Sequence, residues 1–467
     1  MYNSFYSALL LMPLAVCVAG CSSSSSERTR AAADSASQTA DVRLMTLDPG
    51  HFHAALVQKY DYPQVDSVVH VYAPEGEDLQ MHLARIEQFN TRAEDPTHWV
   101  EKVYTGPDFL EQMLKQKPGN VVVLSGNNAK KTDYINAAVN EGLNVLADKP
   151  MVIQPADYPR LLDAFRKADE RGVLIYDIMT ERHEISTMLQ KELAGFPEVF
   201  GELVKGTPQE PAISKESVHH FYKMVAGKPL IRPAWFFDAD QQGAGIVDVS
   251  THLVDLILWE CFPEQGIDTS EVQVLSARRW ATELSPRQFE TATGVATFPD
   301  FLQPHVNESG SLSTHANGEF VFTVRGVHGK VSVIWNFQAP EGAADTHYSI
   351  MRGTKANLVI RQDQPQNYQP TLYVEPVAGQ DRAAIGAALQ QALARIGQQY
   401  PGVAMAETPE GWEVKIPDEF KVGHEAHFSQ VTEDFLQYLA DGKIPAWEKQ
   451  NMITKYYLTT QAYTRSR

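Results

Sequence analysis

Beyond residue 41 the chain alternates short apolar runs with stretches whose apolar residues recur at helical spacing. Residues 42–47 (VRLMTL) read as a strand that stops at Asp48-Pro49-Gly50, and 51–59 start a helix. Residues 67–72 (SVVHVY) predict a second strand, followed by the turn Ala73-Pro74-Glu75-Gly76. Over 79–90, Leu79, Leu83, Ile86 and Phe89 share one helix face. A short strand at 99–104, a helix at 108–116 and a continuous apolar strand at 120–124 (NVVVL) come next. Then follow a helix at 132–141 closed by Gly142, a strand at 144–147, a helix at 156–171 closed by Gly172, and a strand at 173–176. Strands alternating with helices at this spacing imply a doubly wound parallel sheet. Right-handed crossovers place all its strand C-termini on one edge, where ligands bind.

After about residue 180 the rhythm changes. Strand-like runs recur at 199–205, 272–277, 319–325, 330–337, 348–352, 357–361 and 371–375, several separated by glycine turns. Helical patterns remain at 383–398, 433–440 and 454–462. This half predicts an α+β domain built on a large, mostly antiparallel sheet with one open face. The expected boundaries are 42–178 for the first domain and 179–467 for the second, which would carry substrate and oligomer contacts.

The first 41 residues are of another kind. The apolar run 5–19 is too short to span a bilayer comfortably and ends in Val18-Ala19-Gly20-Cys21. Small residues before a cysteine at this place resemble the lipobox of bacterial lipoproteins. That resemblance implies a signal peptide over 1–20, cleavage before Cys21 and acylation of Cys21. Residues 1–4 carry no Lys or Arg, a departure from the usual basic start. Residues 21–41 are rich in Ser and Ala without apolar period, and read as a tether reaching roughly 25 Å. The expected location is the bacterial cell envelope, with the membrane touched only through the lipid.

Composition narrows the partners. The chain of 467 residues has 40 Lys+Arg against 58 Asp+Glu, a net charge of −18. Nucleic-acid binding needs a basic footprint and is not expected. Of 3 cysteines, the lipobox resemblance implies that Cys17 would leave with the signal and Cys21 would be lipidated, so Cys261 would stand alone. A disulfide and a zinc–cysteine site are thereby excluded, and Cys261 reads as a small buried hydrophobe.

Three stretches carry chemistry. Asp148-Lys149-Pro150 ends a buried strand, at the edge where reactive groups of a parallel sheet gather. A loop lysine before a turn proline is the plainer alternative. Gly243-Ala244-Gly245 precedes Asp248 and His252, whose i, i+4 spacing puts them on one helix face. Histidine is the natural base near neutral pH, and a carboxylate beside it would orient it. A capped helix with a surface Asp–His pair would look the same. The first turn, Asp48-Pro49-Gly50-His51-Phe52-His53, lacks the G-x-G-x-x-G expected where a helix start holds pyrophosphate.

Together these stretches resemble the Gfo/Idh/MocA family of nicotinamide-dependent oxidoreductases. The most specific agreement is residues 120–150, with Asn128 on the family Asn, Asp148 on its Glu and Lys149 on its Lys. The second is QQGAGIVDVSTHLVD, on the family's Gly-rich turn, Asp, His and Asp. The long second half looks like the subgroup with the "putative oxidoreductase C-terminal domain". The resemblance implies a Rossmann-like N-terminal domain, bound NAD or NADP, and a small carbohydrate or cyclitol substrate. It implies Lys149, Asp248 and His252 as the catalytic set. His252 would take the hydroxyl proton, Asp248 would hold the imidazole, and Lys149 would donate to the developing alkoxide. Gly50, His51, Phe52, Glu75, Ser125, Asn127, Asn128, Asp148 and Lys149 would line the cofactor. Trp235 would face the sugar ring beside Lys149, Asp248 and His252, although Trp235, Phe236 and Phe237 suit core packing equally. Lys223 and Arg232 would reach substrate oxygens or stay solvated.

Departures from the family pattern set further expectations. Ala73 stands where an acid often binds the adenosine ribose, with Glu75 the nearest substitute, and Lys131 stands where the family commonly has His. Export without a twin-Arg signal means crossing unfolded and empty, into a compartment without a free nicotinamide pool. That favours a tightly held cofactor and redox-neutral glycoside processing. Two rival readings remain: a non-catalytic sugar-binding lipoprotein on this fold, and a metal-dependent hydrolase suggested by His51-Phe52-His53. The hydrolase needs a closed (β/α)8 barrel; otherwise no metal is expected. A homo-oligomer is expected by analogy.

Overall fold

A computed structural model describes residues 41–225 and 228–466. The expected signal peptide, Cys21 and all but the last residue of the expected tether lie outside the described residues. The first sheet comprises β1 (Leu44–Leu47), β2 (Val68–Tyr72), β3 (Val100–Tyr104), β4 (Val121–Leu124), β5 (Asn144–Asp148) and β6 (Ile175–Ile178). All pairings are parallel, in the order β3-β2-β1-β4-β5-β6. β1 and β4 are buried along their whole length, as continuous apolar runs predict. The order reverses between β1 and β4, so a crevice opens at their C-terminal ends. Helices α1 (His53–Leu56), α2 (Glu77–Thr91), α3 (Phe109–Gln116), α4 (Lys131–Asn140) and α5 (Tyr158–Arg171) make the crossovers. An open sheet of six strands is not a closed barrel, so the hydrolase reading loses its scaffold.

The helix expected over 51–59 is a single turn. Gln58 and Lys59 donate to the carbonyls three residues back, and Pro63 then forces extended backbone. The strand expected at 199–205 does not form: only Leu203 makes an isolated bridge, to Gly353.

After α6 (Ile185–Ala194) comes β7 (Ile213–Tyr222), a strand that apolar alternation does not announce because its inward positions include Lys215 and Ser217, and a small hairpin of β8 (Met224–Val225) and β9 (Lys228–Pro229). Helix α7 (Ser250–Cys261) precedes β10 (Val272–Leu284), α8 (Pro286–Thr293), β11 (Leu312–Val324) and β12 (Val327–Gln338). Then follow β13 (Thr346–Arg352), β14 (Ala356–Gln362), β15 (Thr371–Pro376), α9 (Arg382–Ile396), β16 (Ala404–Glu407) and β17 (Trp412–Lys415). The nine-stranded sheet runs β10-β11-β12-β7-β13-β14-β15-β17-β16 and is antiparallel except between β7 and β12. Cys261, expected to be buried, is half-buried at the end of α7.

Helices α10 (His424–Asp441) and α11 (Ala446–Arg465) return to the first sheet, where Phe428, Phe435, Met452 and Tyr456 join its core. Buried charges tie the junction. Arg182 bonds Asp255 of α7 at 2.6 Å and Glu448 of α11 at 2.8 Å. Lys455 of α11 bonds Asp255 at 2.7 Å and Asp177 of β6 at 2.8 Å. Among the described residues no helix is long and apolar enough to cross a membrane.

Candidate active site

Two structural devices bring the site together. β5 delivers Asp148 and Lys149 to the crevice edge, with a cis peptide between Lys149 and Pro150. The Gly-rich segment then presses against β11. A Cβ on Gly245 would lie 1.7 Å from the Ala316 carbonyl oxygen, and one on Gly318 2.6 Å from Ile246 Cβ. Only glycines allow that approach, and it sets Asp248 opposite Lys149.

Lys149 Nζ lies 2.5 Å from Asp248 Oδ1, with both side chains buried. Gln242 Nε2 donates to the other carboxylate oxygen at 3.0 Å. Burial opposes the Lys149 charge, but Asp248 and Asp148 prevail and hold its pKa above the ordinary lysine value. Lys149 is therefore a charged donor at neutral pH. His252 is in the first turn of α7, and its Nδ1 is buried without a partner. Burial, aided by the Lys149 charge, pushes its pKa well below 6.5, so the ring is a neutral acceptor.

The expectation that Asp248 holds the His252 imidazole is corrected. α7 starts at Ser250, so Asp248 precedes the helix, and its carboxylate is engaged by Lys149 and Gln242. An ammonium wins that carboxylate over a neutral ring because charge-assisted bonds are the stronger.

Asp148 anchors a second cluster. It accepts from His53 Nδ1 and from Ser125 Oγ, each at 2.9 Å, while His51 Nδ1 lies 3.7 Å away. One ring nitrogen of His51, one of His53 and a carboxylate oxygen of Asp148 all lie within 4.8 Å of one another. Burial pushes Asp148 upward, but His53 and Lys131 outweigh it and hold the carboxyl well below its usual range. Burial pushes both imidazoles down. Lys131 is buried beneath the site, donates to the Asp148 carbonyl at 2.8 Å, and is pushed by burial to about 8.

Asn127 and Asn128 sit at the end of β4 but grip protein. Asn127 Nδ2 donates to Gln241 Oε1 at 2.7 Å, and Asn128 Nδ2 to the Gln242 carbonyl at 2.7 Å. They fasten the Gly-rich segment over the crevice. Trp235 borders the crevice at the β1 turn. Its Nε1 donates to Asp78 Oδ2 at 2.9 Å, and its ring lies over Gly50. Phe236 and Phe237 pack with Phe221, as core aromatics. Lys223 pairs with Asp345 at 2.7 Å, and buried Arg232 donates to the Phe221 and His220 carbonyls.

An open cleft runs along the C-terminal ends of β1 and β2. Asp48, Ala73, Glu75 and Asp78 line one side, Trp235 and Gln241 the other. The cleft starts at the β1 turn, beside the strand-order reversal, and reaches past β2 to Glu75, where the adenosine half of a dinucleotide would lie. The turn itself is unusual. Asp48 takes φ +50 where a glycine is expected, and the Gly50 and His51 N–H groups donate to the Ser125 carbonyl.

Sequence reasoning missed His53 as the partner of Asp148, Asp78 as that of Trp235 and Gln242 as that of Asp248. Residue 53 stood in a motif noted for metal chemistry, and 242 within the quoted Gly-rich stretch. Asp78 gave no signal beyond an acid at a helix start.

A crevice at a parallel-sheet switch point, edged by a charged lysine and a free imidazole, defines a dinucleotide-dependent oxidoreductase. Comparison with known proteins agrees. Residues 14–176 match the profile "Oxidoreductase family, NAD-binding Rossmann fold", and residues 189–467 match "Putative oxidoreductase C terminal domain". The chain belongs to the Gfo/Idh/MocA oxidoreductase family and is an NAD(P)-dependent oxidoreductase. It is 54% identical to a "putative oxidoreductase" from Parabacteroides merdae ATCC 43184. That alignment covers 91% of this chain and 98% of the other, with a TM-score of 0.90. The fold is also similar to levoglucosan dehydrogenase in complex with NADH and L-sorbose, at 11% identity and TM-score 0.57 over 91% and 97% of the chains. It is similar to the 3-ketoreductase KijD10 from Actinomadura kijaniata with NADP, at 14% identity and TM-score 0.52 over 89% and 95%. No functionally curated protein matches.

Proposed function

We propose that this protein oxidises a hydroxyl of a sugar, glycoside or cyclitol with tightly held NAD and returns the hydride in the same cycle. The observation that carries this reading is the pairing of Lys149 with Asp248 at 2.5 Å beside the unpartnered His252. NAD, when bound, supplies the acceptor for hydride. The chain's own residues handle the proton. Asp248 keeps Lys149 charged and aimed, Lys149 donates to the substrate oxygen and stabilises the alkoxide, and His252 accepts the hydroxyl proton. Two similar folds have names or ligands that concern sugars or ketoreduction, which supports a carbohydrate substrate.

The cofactor reading commits to NAD over NADP. Glu75, Asp48 and Asp78 line the nucleotide cleft, and a 2′-phosphate there would meet their charge. Ser125, Asn127 and Lys149 would edge the nicotinamide end, and Gly50 and Phe52 the phosphate turn. The lipobox-like Cys21 favours a lipid-anchored protein of the bacterial envelope, and confinement there favours a retained cofactor. The face of the large sheet bearing half-exposed Tyr348 is where a second copy would pair.

The test is direct. The purified chain is denatured and any released nucleotide identified by absorbance and mass. The undenatured protein is then given sugars and glycosides. NAD near one per chain, with product formed without net accumulation of reduced cofactor, is the expected result. Protein that neither carries nor binds NAD or NADP overturns the reading.

A further inference from the structure

Gln58 closes the single turn of α1, with its N–H on the Ala55 carbonyl, and is only 1% exposed. Two residues at the head of β3 grip it. Trp99 Nε1 donates to the Gln58 backbone carbonyl at 2.7 Å, and Gln58 Nε2 donates to Glu101 Oε1 at 2.7 Å. Residues 99 and 101 are two apart on an extended chain, so both side chains face the same side. The turn that carries His53 is fastened here to the edge strand of the first sheet. Gln58, Trp99 and Glu101 all lie away from the nucleotide cleft.

The hydrogen bonds do not balance if Glu101 is ionised. Gln58 Oε1 and Glu101 Oε2, the second oxygens of two groups already joined, are both buried without a donor. A carboxylate and an amide carbonyl can only accept, and buried acceptors left unmet are costly. A proton on Glu101 Oε2 removes both defects at once. The acid O–H then donates to Gln58 Oε1 while the amide N–H donates to Glu101 Oε1, and the two bonds close a ring.

The surrounding charges do not favour a carboxylate. Lys59 and Asp61, on the segment packed against Glu101, pair with Glu425 of α10 and with His98. Arg92, just past α2, lies over the Tyr60 and Phe89 rings and 3.6 Å from Asp95. His70 of β2 stands opposite Lys102 of β3, and both belong to the other face of the sheet. Burial is opposed only by the Gln58 bond and raises the Glu101 pKa to about 7.

We infer that Glu101 is a protonated acid that latches Gln58, and that loss of its proton to solvent as pH rises opens the latch and slackens the turn carrying His53. The carboxylate left behind cannot donate, so Gln58 Oε1 goes unmet. The hold on His53, whose Nδ1 lies 2.9 Å from Asp148, is then firmest in mildly acidic surroundings. The latch acts in this way whatever substrate the site takes.

The test compares the full-length wild type with Glu101→Gln, whose amide offers the same donor and acceptor but does not titrate. Infrared spectra and amide hydrogen exchange of the 53–59 segment are recorded from about pH 6 to about pH 9, with exchange corrected for its intrinsic pH dependence. At about pH 6 an ordinary Glu is almost fully ionised. The wild-type-minus-variant spectrum should nevertheless show the carbonyl stretch of a protonated carboxyl there, replaced by carboxylate bands at higher pH. Protection of the turn should fall by about tenfold across that step in the wild type and stay level in Glu101→Gln. Carboxylate bands alone at about pH 6 would overturn the inference and give the two oxygens to a bridging water. Parallel exchange profiles in the two proteins would overturn the latch. Should Glu101→Gln fold poorly, Gln58→Leu takes its place. Turn protection is then expected to be low throughout and without the step, and a step that survives the loss of Gln58 counts against the latch.

Discussion

Replacing Asp248 with Asn removes one charge from a buried contact and leaves the other in place. Lys149 Nζ and Asp248 Oδ1 are 2.5 Å apart, and their side chains are 11% and 5% exposed. Two unit charges at about 3 Å in an effective dielectric near 20 attract by about 5 to 6 kcal/mol. Measured losses on breaking buried pairs run about 3 to 5 kcal/mol. Lys149 answers such a loss by giving up its proton more readily, since about 1.4 kcal/mol shifts that equilibrium tenfold. At pH 8 the reactive free amine should therefore rise by about 100-fold or more. Competitive labelling with acetic anhydride, read by mass spectrometry of the Lys149 peptide across pH, measures this. Easier access alone would raise the rate equally at every pH; loss of charge moves the pH at which labelling saturates. In the wild type the raised Lys149 pKa means the pair stabilises the fold throughout neutral pH and ceases to do so only above the ordinary lysine range. An unchanged labelling profile in Asp248→Asn would refute the claim that Asp248 keeps Lys149 charged.

The remaining predictions concern other parts of the molecule. Asp255→Asn strips the carboxylate that Arg182 and Lys455 share, and should cost about 3 to 5 kcal/mol in urea unfolding; a loss under about 1 kcal/mol would show that the junction does not depend on it. Burial holds His82 at about 4, below its unfolded 6.5, so the unfolded state binds more protons between those values. This group's contribution to stability should fall by about 2 kcal/mol from pH 7 to pH 5, and His82→Leu should flatten the profile by that amount. Because Trp235 seals the Gly50 turn, NAD should change tryptophan fluorescence, and Trp235→Phe should abolish most of that change; an undiminished response would place the cofactor elsewhere. Cys21→Ser should release the protein from membranes and end its labelling by fatty acid, whereas continued labelling would refute lipidation at that residue.

Much of the first domain was legible because buried parallel strands announce themselves. A run such as Val121–Leu124 has both faces against helices and leaves little doubt about its conformation. The same directness put Asp148 and Lys149 on the reactive edge, since the end of β5 is a local matter. The mostly antiparallel sheet of the second half was legible in its recurring strand-like runs, whereas the order of the six strands and the approach of Gly245 to β11 were settled only by the fold. The family resemblance was legible because it rests on stretches contiguous in the chain.

What the chain order could not decide is which of several competent partners each charged group takes. Asp248 had His252 four residues away, but a lysine 99 positions earlier lies closer in space and binds more strongly. The indole of Trp235 finds its acceptor in Asp78, 157 positions away, at 2.9 Å. Helices α10 and α11 close over the first sheet only because their apolar faces match a core laid down far earlier in the chain, as where Tyr456 donates to Asp177, 279 positions away. Local periodicity decides strands and helices because it reflects each residue's immediate backbone and solvent. Charge pairing depends on contacts between segments remote in the chain, and those exist only once the chain has folded.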